Sequence, residues 1–344
     1  MRVLVTGAFG NIGASTLPEL LALGHQVRGF DLDSKRNRET ARAFEGRVEP
    51  VWGDVTREED VVKAVEGCEA VIHDAALLPP ASERDEALTR RVNVDGTRNV
   101  IAACERQPTP PRVIFASSIS LFGPSAGKKP PRRADEPVVT SDAYTRSKAE
   151  CEERLRASTL DWVILRFAAT PPVERPSDQM DLERFFAIDP DTRIEYLHRS
   201  DAGLAQAHAV SSPGASRKVL LIGGGARCQI TMGALNDTYL EAAGIGALPR
   251  EAFGTESFYT DWMDTEESQR LLRYQRHDLA HFRDELHHQM RWQRPAARLL
   301  RTPIRWWMLR HASPQGAQRG EAERSHSASP QGAQRGKAER SHDS

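Results

Sequence analysis

The chain has 344 residues and a formal net charge of −1, with 28% of its residues charged. This length is sufficient for one or two domains with a sizeable core, and the near-neutral charge argues against a protein that binds nucleic acid over its whole surface. Its four cysteines lie far apart without a CxxC pair, so we predict neither a metal site nor a disulfide framework. We expect a cytoplasmic protein, because no apolar run approaches the ~18 residues of a membrane span and a strand begins at once, without a secretory leader.

The first residues predict the opening βαβ unit of a dinucleotide-binding domain. Residues 2–6 form a short apolar strand, a GxxGxxG turn follows it, and residues 14–23 have the apolar spacing of a helix. Gly7 permits a tight turn, Gly10 lets the backbone approach a pyrophosphate, and Gly13 lets the helix pack closely on the sheet. The N–H groups at the start of that helix would bind the phosphates.

The second and third strands both end at acids. Asp31 is placed to accept hydrogen bonds from the adenosine ribose hydroxyls, and its charge would repel the 2′-phosphate of NADP. We therefore predict NAD over NADP, although a basic stretch beginning at Lys35 lies near enough to weaken this preference. Asp54, after the third strand, is either an adenine contact or a plain turn residue. Thr56 is expected to cap a helix over residues 57–65.

The fourth strand ends at His73, which we interpret as a packing and hydrogen-bonding residue, with a catalytic base as the alternative. Asp74 and two alanines follow, and small side chains there let the backbone lie against a flat cofactor. Strands and helices alternate as far as Arg166. This alternation predicts an α/β fold with a Rossmann-type, doubly wound parallel sheet and a ligand at its carboxyl edge.

A serine, a tyrosine and a lysine provide the predicted chemistry. A fifth strand, residues 112–116, delivers Ser118 to the carboxyl edge, and Tyr144 and Lys148 share one face of the helix that begins nearby. A phenol with a pKa of about 10 is a poor acid or base at pH 7, and a neighbouring ammonium would lower that pKa. The bland alternative is an amphipathic helix with an incidental tyrosine and lysine.

The chain resembles the extended short-chain dehydrogenase/reductases of the NAD-dependent epimerase/dehydratase type over residues 1 to about 170. The matching motifs, in family order, are Thr6-Gly7-Ala8-Phe9-Gly10-Asn11-Ile12-Gly13, Asp31, Gly53-Asp54-Val55, Val71-Ile72-His73-Asp74-Ala75-Ala76, Asn93-Val94-Asp95-Gly96-Thr97, Ser117-Ser118-Ile119-Ser120-Leu121-Phe122-Gly123 and Tyr144-x-x-x-Lys148. The resemblance implies catalysis by Ser118, Tyr144 and Lys148, and a homodimer paired through residues 87–104 and 144–155. It also implies an NAD site formed by Gly7, Phe9, Gly10, Asn11, Ile12, Gly13, Asp31, Asp54, Val55, Ala75, Ala76, Asn93, Tyr144 and Lys148.

Three departures from the family pattern concern the substrate. Dehydratases of this family carry an Asp-Glu pair where this chain has Ile119 and Ser120, so dehydration by that route is not expected. Members that act on nucleotide sugars usually have an asparagine after the strand-end arginine, and the run after Arg166 has no amide. They also tend to carry an arginine where this chain has Ile194. Two groups that would hold a diphosphate are therefore missing.

We divide the chain into a Rossmann domain (1–169), a mixed α/β substrate lobe (170–275), a C-terminal helix with a basic aromatic segment (276–311) and a disordered tail (312–344). In the lobe, Asp201 is expected to cap a helix over residues 200–207 rather than to bind substrate. The tail consists of two copies of one polar unit that differ only at Glu321 and Lys337. Such a unit has no large apolar residue with which to build a core.

Residues 291–311 combine six arginines with tryptophans and leucines and contain no acid. Pro295 and Pro303 interrupt any long helix. Three interpretations remain open: packing against the lobe or a partner subunit, contact with an anionic membrane surface, and a nucleic-acid patch.

The residues together predict an NAD-dependent oxidoreductase or epimerase that acts on a hydroxyl or carbonyl of a sugar-like or other small alcohol or ketone. Tyr144 would move a proton at the substrate oxygen while hydride passes to or from the nicotinamide. The alternative is a regulatory or scaffold protein in which the dinucleotide is structural.

Overall fold

The computed structural model describes residues 1–171, 182–310 and 312. The predicted disordered tail lies, apart from residue 312, outside the described residues. The strands are β1 (Arg2–Thr6), β2 (Gln26–Asp31), β3 (Val48–Trp52), β4 (Ala70–His73), β5 (Arg112–Ser118), β6 (Trp162–Phe167), β7 (Arg193–Glu195), β8 (Lys218–Ile222) and β9 (Gln229–Thr231). The helices are α1 (Asn11–Ala22), α2 (Lys35–Arg42), α3 (Glu58–Val65), α4 (Ala81–Arg84), α5 (Glu86–Thr89), α6 (Gly96–Glu105), α7 (Ala143–Ala157), α8 (Leu182–Ala187), α9 (Arg199–Ala209), α10 (Met232–Ala242), α11 (Glu266–Leu272), α12 (Leu279–Gln289), α13 (Arg294–Leu299) and α14 (Arg301–Leu309).

A parallel sheet in the order β3-β2-β1-β4-β5-β6-β8 forms the centre of the molecule. Its central strands are apolar on both faces, as a sheet covered by helices on both sides requires. In β1, Val3 and Val5 pack into the core on the side of α1, while Leu4 packs into the core on the side of α3 and α6. The predicted Rossmann-type fold is confirmed, and its strand order reverses between β1 and β4, where such sheets bind their ligands.

Some helix ends differ from the sequence prediction. Helix α1 begins at Asn11, three residues earlier than predicted, because Gly10 already serves as its N-cap. Thr56 is not a helix cap: α3 begins at Glu58, and the Thr56 N–H instead donates to the Asp54 carboxylate in the preceding turn. Residues 86–105 are helical throughout, as α5, a wide π-helical turn at Arg90–Asp95, and α6 in direct succession.

Part of the second half forms a lobe around the antiparallel pair of β7 and β9. Strand β8 and helix α9 fall within the predicted lobe of residues 170–275, but they belong to the central sheet and to its core beside α1. The core of the lobe contains Ile194, Tyr196 and Leu235, together with Phe282 and Leu286 of α12. The helix that we assigned to a separate C-terminal segment therefore completes the core of the lobe.

A buried ion pair attaches α7 to β6. Glu152 of α7 accepts two hydrogen bonds from the Arg166 guanidinium, at 2.9 and 2.8 Å, and a third from Ser117 of β5 at 2.5 Å. Glu152 and Arg166 are at most 2% exposed. Burial alone would raise the pKa of Glu152, but the hydrogen bonds and charge of Arg166, together with Ser117 and Arg156, outweigh this effect, so the pKa of Glu152 lies below its ordinary value.

We expect Glu152→Gln to lower the free energy of unfolding by about 3 kcal/mol, because loss of one partner leaves the Arg166 charge buried and uncompensated. The control is Glu153→Gln, at the exposed neighbouring position on the same helix. Urea unfolding at pH 7 measures both variants, and equal stabilities would contradict a structural role for the pair.

Candidate active site

Ser118, Tyr144 and Lys148 converge at the carboxyl edge of the sheet. Ser118 is the last residue of β5, and the other two lie one turn apart on α7, beside that strand. The Lys148 Nζ donates to the Ala116 carbonyl oxygen at 2.6 Å and lies 5.9 Å from the centre of the Tyr144 ring. Both side chains are buried. The structure thus brings the three predicted catalytic residues together.

Burial controls the acid–base state of this group. It raises the pKa of Tyr144 to about 12, and a hydrogen bond with Ser118 opposes the rise. Burial also lowers the pKa of Lys148. The two shifts have opposite signs because burial disfavours the charged form of each side chain, the phenolate of Tyr144 and the ammonium of Lys148. In the protein alone, the phenol of Tyr144 therefore stays protonated at neutral pH.

Ser120 joins the site, although the sequence prediction did not include it. Its Oγ lies 2.7 Å from the Ser118 Oγ, and its backbone N–H donates to the same oxygen at 3.2 Å. The sequence did contain a signal for Ser120, because this serine stands at a position where dehydratases of the resembled family carry an acid. Here that position supplies a second hydroxyl beside Ser118.

Two acids fix the start of α7. The Asp142 carboxylate and the Thr145 side chain form a reciprocal capping box. Glu83, which lies far from α7 in sequence, accepts from the N–H groups of Ala143 and Tyr144 at 3.3 Å each. Negative charge is favourable at a helix N-terminus, so both acids stabilise the turn that carries the tyrosine.

The glycine turn has the close packing that the sequence predicts. Gly7 has a φ of +67°, which favours glycine. A Cβ at Gly13 would overlap the Gly7 carbonyl oxygen, so α1 packs directly on the turn. A Cβ at Gly10 would meet only that oxygen, at 3.3 Å, and the N-cap makes no side-chain hydrogen bond. The start of α1 therefore offers backbone N–H groups without a side chain in the way.

Asp31 lies at the end of β2, beside the glycine turn. Its carboxylate accepts from the Phe9 N–H at 2.9 Å, the Leu32 N–H at 2.8 Å and the Asn37 amide at 2.9 Å. A carboxylate has about four acceptor positions, so capacity remains for a further hydroxyl. Burial raises the pKa of Asp31, against the effect of the two backbone hydrogen bonds.

The other predicted cofactor residues occupy different positions around the turn. The Asn11 amide donates to the Thr170 carbonyl oxygen at 3.0 Å. Asp54 has the role of a turn residue, since it accepts from Thr56 at 2.8 Å. The Asn93 side chain accepts from the Leu77 N–H and donates to the Leu77 carbonyl, so it holds the loop after β4. The remaining positions are Ile12 in the first turn of α1, Val55, buried against Gly96, and Ala75 and Ala76, half-buried after β4.

His73 is a hydrogen-bonded core residue. Its Nδ1 lies 2.7 Å from the Thr6 Oγ1 and its Nε2 lies 3.0 Å from the Thr97 Oγ1, which itself donates to the Asn93 carbonyl. That network assigns the proton to Nε2. Burial lowers the pKa of His73 to about 3. The geometry supports the packing interpretation over the catalytic one.

Asp74 is an unusual neighbour of the site. Its Oδ1 accepts from the Gln206 amide of α9, whose oxygen accepts from Thr16 of α1 at 2.5 Å. Its Oδ2 is buried and has no hydrogen-bond partner in the described part of the chain. Burial raises the pKa of Asp74 to about 7, against opposing effects from Gln206 and Lys148.

A histidine cluster lies where α9 meets α12. Ser200 donates to the His198 Nδ1 at 3.2 Å, so the proton lies on Nε2, which contacts Glu285 at 2.9 Å. The His277 Nδ1 lies 2.6 Å from Asp201. These groups are close enough together to be considered as metal ligands, but binding through the His198 Nε2 would require the opposite tautomer. The arrangement fits a hydrogen-bonded connection between the two helices.

The cap prediction for Asp201 is wrong. His198 is the N-cap of α9, whereas Asp201 lies in the first turn and accepts from the N–H groups of Arg276 and His277 at 2.9 and 3.0 Å. Asp201 is fully buried and holds the segment before α12. No local pattern in the sequence connects these distant positions.

Residues 4–162 match the 3-beta hydroxysteroid dehydrogenase/isomerase family. The 3 beta-hydroxysteroid dehydrogenase type 7 of Mus musculus is 33% identical over 157 residues, which cover 44% of this chain and 42% of that protein. A 3-beta-hydroxysteroid dehydrogenase of Mycolicibacterium neoaurum is 34% identical over 161 residues, with the same coverage of 44% and 42%. The match therefore spans less than half the length of these curated relatives.

The solved UDP-glucuronic acid 4-epimerase of Bacillus cereus, in complex with UDP-glucuronic acid and NAD, has a similar fold. Its TM-score is 0.71 at 20% identity, and the superposition covers 86% of this chain and 100% of that chain. At this identity the likeness shows the fold alone.

We expect Gly13→Ala to lower the free energy of unfolding by about 1–3 kcal/mol, because the new methyl group overlaps the backbone of the turn. Gly10→Ala is the comparison variant: its methyl group would meet the Gly7 carbonyl oxygen at 3.3 Å, a tight contact rather than an overlap, so its loss in the free energy of unfolding should be smaller, at most about 1 kcal/mol. Urea unfolding separates the two variants. Equal losses would contradict the close packing at Gly13.

We expect Asp74→Asn to change how stability depends on pH. The folded pKa of about 7 lies above the ordinary value of 3.8, so the folded state binds the extra proton between these values and loses stability as pH rises through them, by up to about 1.4 kcal/mol per pH unit. The variant lacks this loss. Urea unfolding at pH 5 and pH 8, with exposed Asp135→Asn as control, measures the difference. Parallel pH profiles for wild type and Asp74→Asn would refute it.

Proposed function

We propose that this chain is an extended short-chain dehydrogenase/reductase of the NAD-dependent epimerase/dehydratase type, and that it is a nicotinamide-dependent oxidoreductase for a secondary alcohol or its ketone. One observation carries the proposal. Ser118, Tyr144 and Lys148 meet at the carboxyl edge of the sheet, close to the strand-order reversal where the glycine turn and Asp31 lie. Proton-transfer groups and a dinucleotide cradle thus share one crevice.

The residues present fit a dinucleotide. The start of α1 suits a pyrophosphate, since Gly10 leaves the N–H groups uncovered, and Asp31 retains capacity for a ribose hydroxyl. We propose NAD rather than NADP. Arg38, a candidate for a 2′-phosphate, is already ion-paired with Asp33 at 2.5 Å and lies over the Trp52 ring at 5.1 Å. A bound nicotinamide ring would supply the acceptor or donor of hydride.

Tyr144 handles the proton at the substrate oxygen. Because burial keeps its phenol protonated, it is ready to donate a proton when a ketone is reduced. In the oxidation of an alcohol it must accept that proton, and the Lys148 ammonium then stabilises the phenolate through the low-dielectric interior. Ser118 holds the substrate oxygen, and Ser120 orients the Ser118 hydroxyl through their mutual hydrogen bond.

The substrate that we propose is an uncharged, largely apolar alcohol, such as the 3-beta-hydroxysteroids that the names of the relatives describe. A nucleotide sugar is disfavoured because Ile194 is buried in the lobe core. The neighbouring Arg193 is ion-paired with Asp261 at 2.7 Å, so its charge is already compensated. Ile119 and Ser120 offer no acid for a dehydration.

The decisive test is Tyr144→Phe. We expect kcat for NAD-dependent oxidation of a 3-beta-hydroxysteroid to fall by about 10²–10⁴-fold, the usual contribution of a general acid–base group. NAD affinity, measured by calorimetry, should stay near that of wild type and exceed the affinity for NADP. The control is Tyr239→Phe, a lobe tyrosine that packs on Phe282.

Other outcomes distinguish the alternatives. If the protein turns over UDP-glucose but not the steroid, the proposed substrate class is wrong and the proposed hydride-transfer reaction stands. NAD binding without turnover of steroid, simple secondary alcohol or UDP-glucose would favour the scaffold function. Unchanged turnover by Tyr144→Phe would refute the mechanism.

A further inference from the structure

We propose that the C-terminal helical pair, defined as α13 and α14 with Trp292 before them, docks this protein on the surface of an anionic lipid bilayer. This inference is independent of the reaction proposed above. It rests on the anchoring, exposure and charge of the pair.

The inner side of the pair is fixed to the lobe. Met308 is 2% exposed and packs with Phe186 and Leu240, with Ile304 beside them. The Arg301 Nε donates to the Ile245 carbonyl oxygen at 2.9 Å, and Arg305 donates to the carbonyls of the same turn. The interpretation that this segment packs on its own lobe is therefore correct for one side only. These contacts hold the helical pair in place on the lobe.

The outer side exposes large apolar residues to an unusual degree. Trp292 is 81% exposed, Leu299 86% and Trp306 59%. The exposed large apolar side chains of this segment are Trp292, Leu299, Leu300, Trp306, Trp307 and Leu309, which is half of all those in the described residues. Scattered exposed apolar residues are ordinary, but a concentration in one segment marks a surface that binds something.

The charged side chains of this segment itself are all positive. No acid occurs between Arg291 and Arg310. The Arg310 guanidinium lies 4.5 Å from the Trp306 ring, and that of Arg291 lies 5.4 Å from the Trp292 ring. Each pair presents an apolar ring beside a cation, which suits the boundary between acyl chains and phosphate headgroups.

An anionic bilayer fits both features better than other occupants do. A second copy docked by the same surface would bring two acid-free arginine clusters together, since a two-fold interface joins identical patches. A nucleic acid would neutralise the arginines but leave aliphatic Leu299 and Leu300 without an apolar environment. Headgroup phosphates neutralise the arginines while the acyl boundary covers the leucines and tryptophans.

The proposed contact is interfacial. In the parts of the chain that the structure describes, no helix has the length and apolar character to cross a bilayer. Helix α14 has 9 residues, about 14 Å at 1.5 Å per residue. It would lie in the plane of the interface.

The test is co-sedimentation of the full chain with vesicles of phosphatidylcholine alone or with 30% phosphatidylglycerol. We expect clear binding to the anionic vesicles, weak binding to the neutral ones, and loss at 1 M NaCl. Leu299→Ser with Trp306→Ser should weaken binding at least tenfold, and Arg298→Gln with Arg310→Gln by about 25-fold, since each arginine near an anionic surface contributes about fivefold. Leu23→Ser, at the exposed residue that follows the last turn of α1, is the matched control.

A second measurement needs no variant. Brominated acyl chains in the anionic vesicles should quench part of the wild-type tryptophan fluorescence, because Trp292 and Trp306 enter the interface. The proposal fails if quenching is absent, or if both double variants bind like wild type. It also fails if the surface instead proves to join two copies, seen as a dimer that Leu299→Ser with Trp306→Ser dissociates, or to bind a nucleic acid but no vesicle.

Discussion

The position of the candidate catalytic side chains depends on the buried pair of Glu152 and Arg166. Glu152 lies one turn beyond Lys148 on α7, and Arg166 lies near the end of β6, so their two hydrogen bonds fix the helix along the sheet. Ser117, next to Ser118 on β5, donates to the same carboxylate. A single acid therefore aligns the strand that carries the serine with the helix that carries the tyrosine and lysine. A charge buried in this way is costly without its partner, so a structure in which Glu152 and Arg166 separate while both stay buried is strongly disfavoured.

The crevice is built from groups whose charged forms burial opposes. Burial shifts the pKa values of His73, Asp74, Tyr144 and Lys148 in the direction that favours the uncharged side chain. Perturbed pKa values cluster at functional sites, and among these groups Asp74, with a pKa of about 7, is brought closest to titration at neutral pH. The electrostatics and the geometry thus indicate the same part of the sheet edge.

Local signals in the sequence predicted most of this arrangement. The glycine turn, Asp31 and the Tyr144–Lys148 spacing are each contained within a few residues, and the alternation of strands and helices fixes which strand ends meet. The sequence could not show the partners that lie far apart in the chain. Gln206 meets Asp74 across 132 positions, and the cap assigned to Asp201 belongs to His198 because tertiary contacts outweighed local preference.

The contact between α1 and α9 has a thermodynamic consequence. A Cβ on Gly203 would lie 2.5 Å from the Ser15 carbonyl oxygen, so the two helices meet backbone to backbone with no slack between them. Helix α9 packs into the core of the central sheet beside α1, and its N-cap His198 contacts Glu285 of the lobe helix α12. Helix α1 begins at the turn that would hold the diphosphate. Rotation of one helix must therefore displace the other. A lobe ligand that shifted α9 would therefore change the affinity of the turn for a diphosphate, and a diphosphate at the turn would change the affinity for that ligand by the same factor.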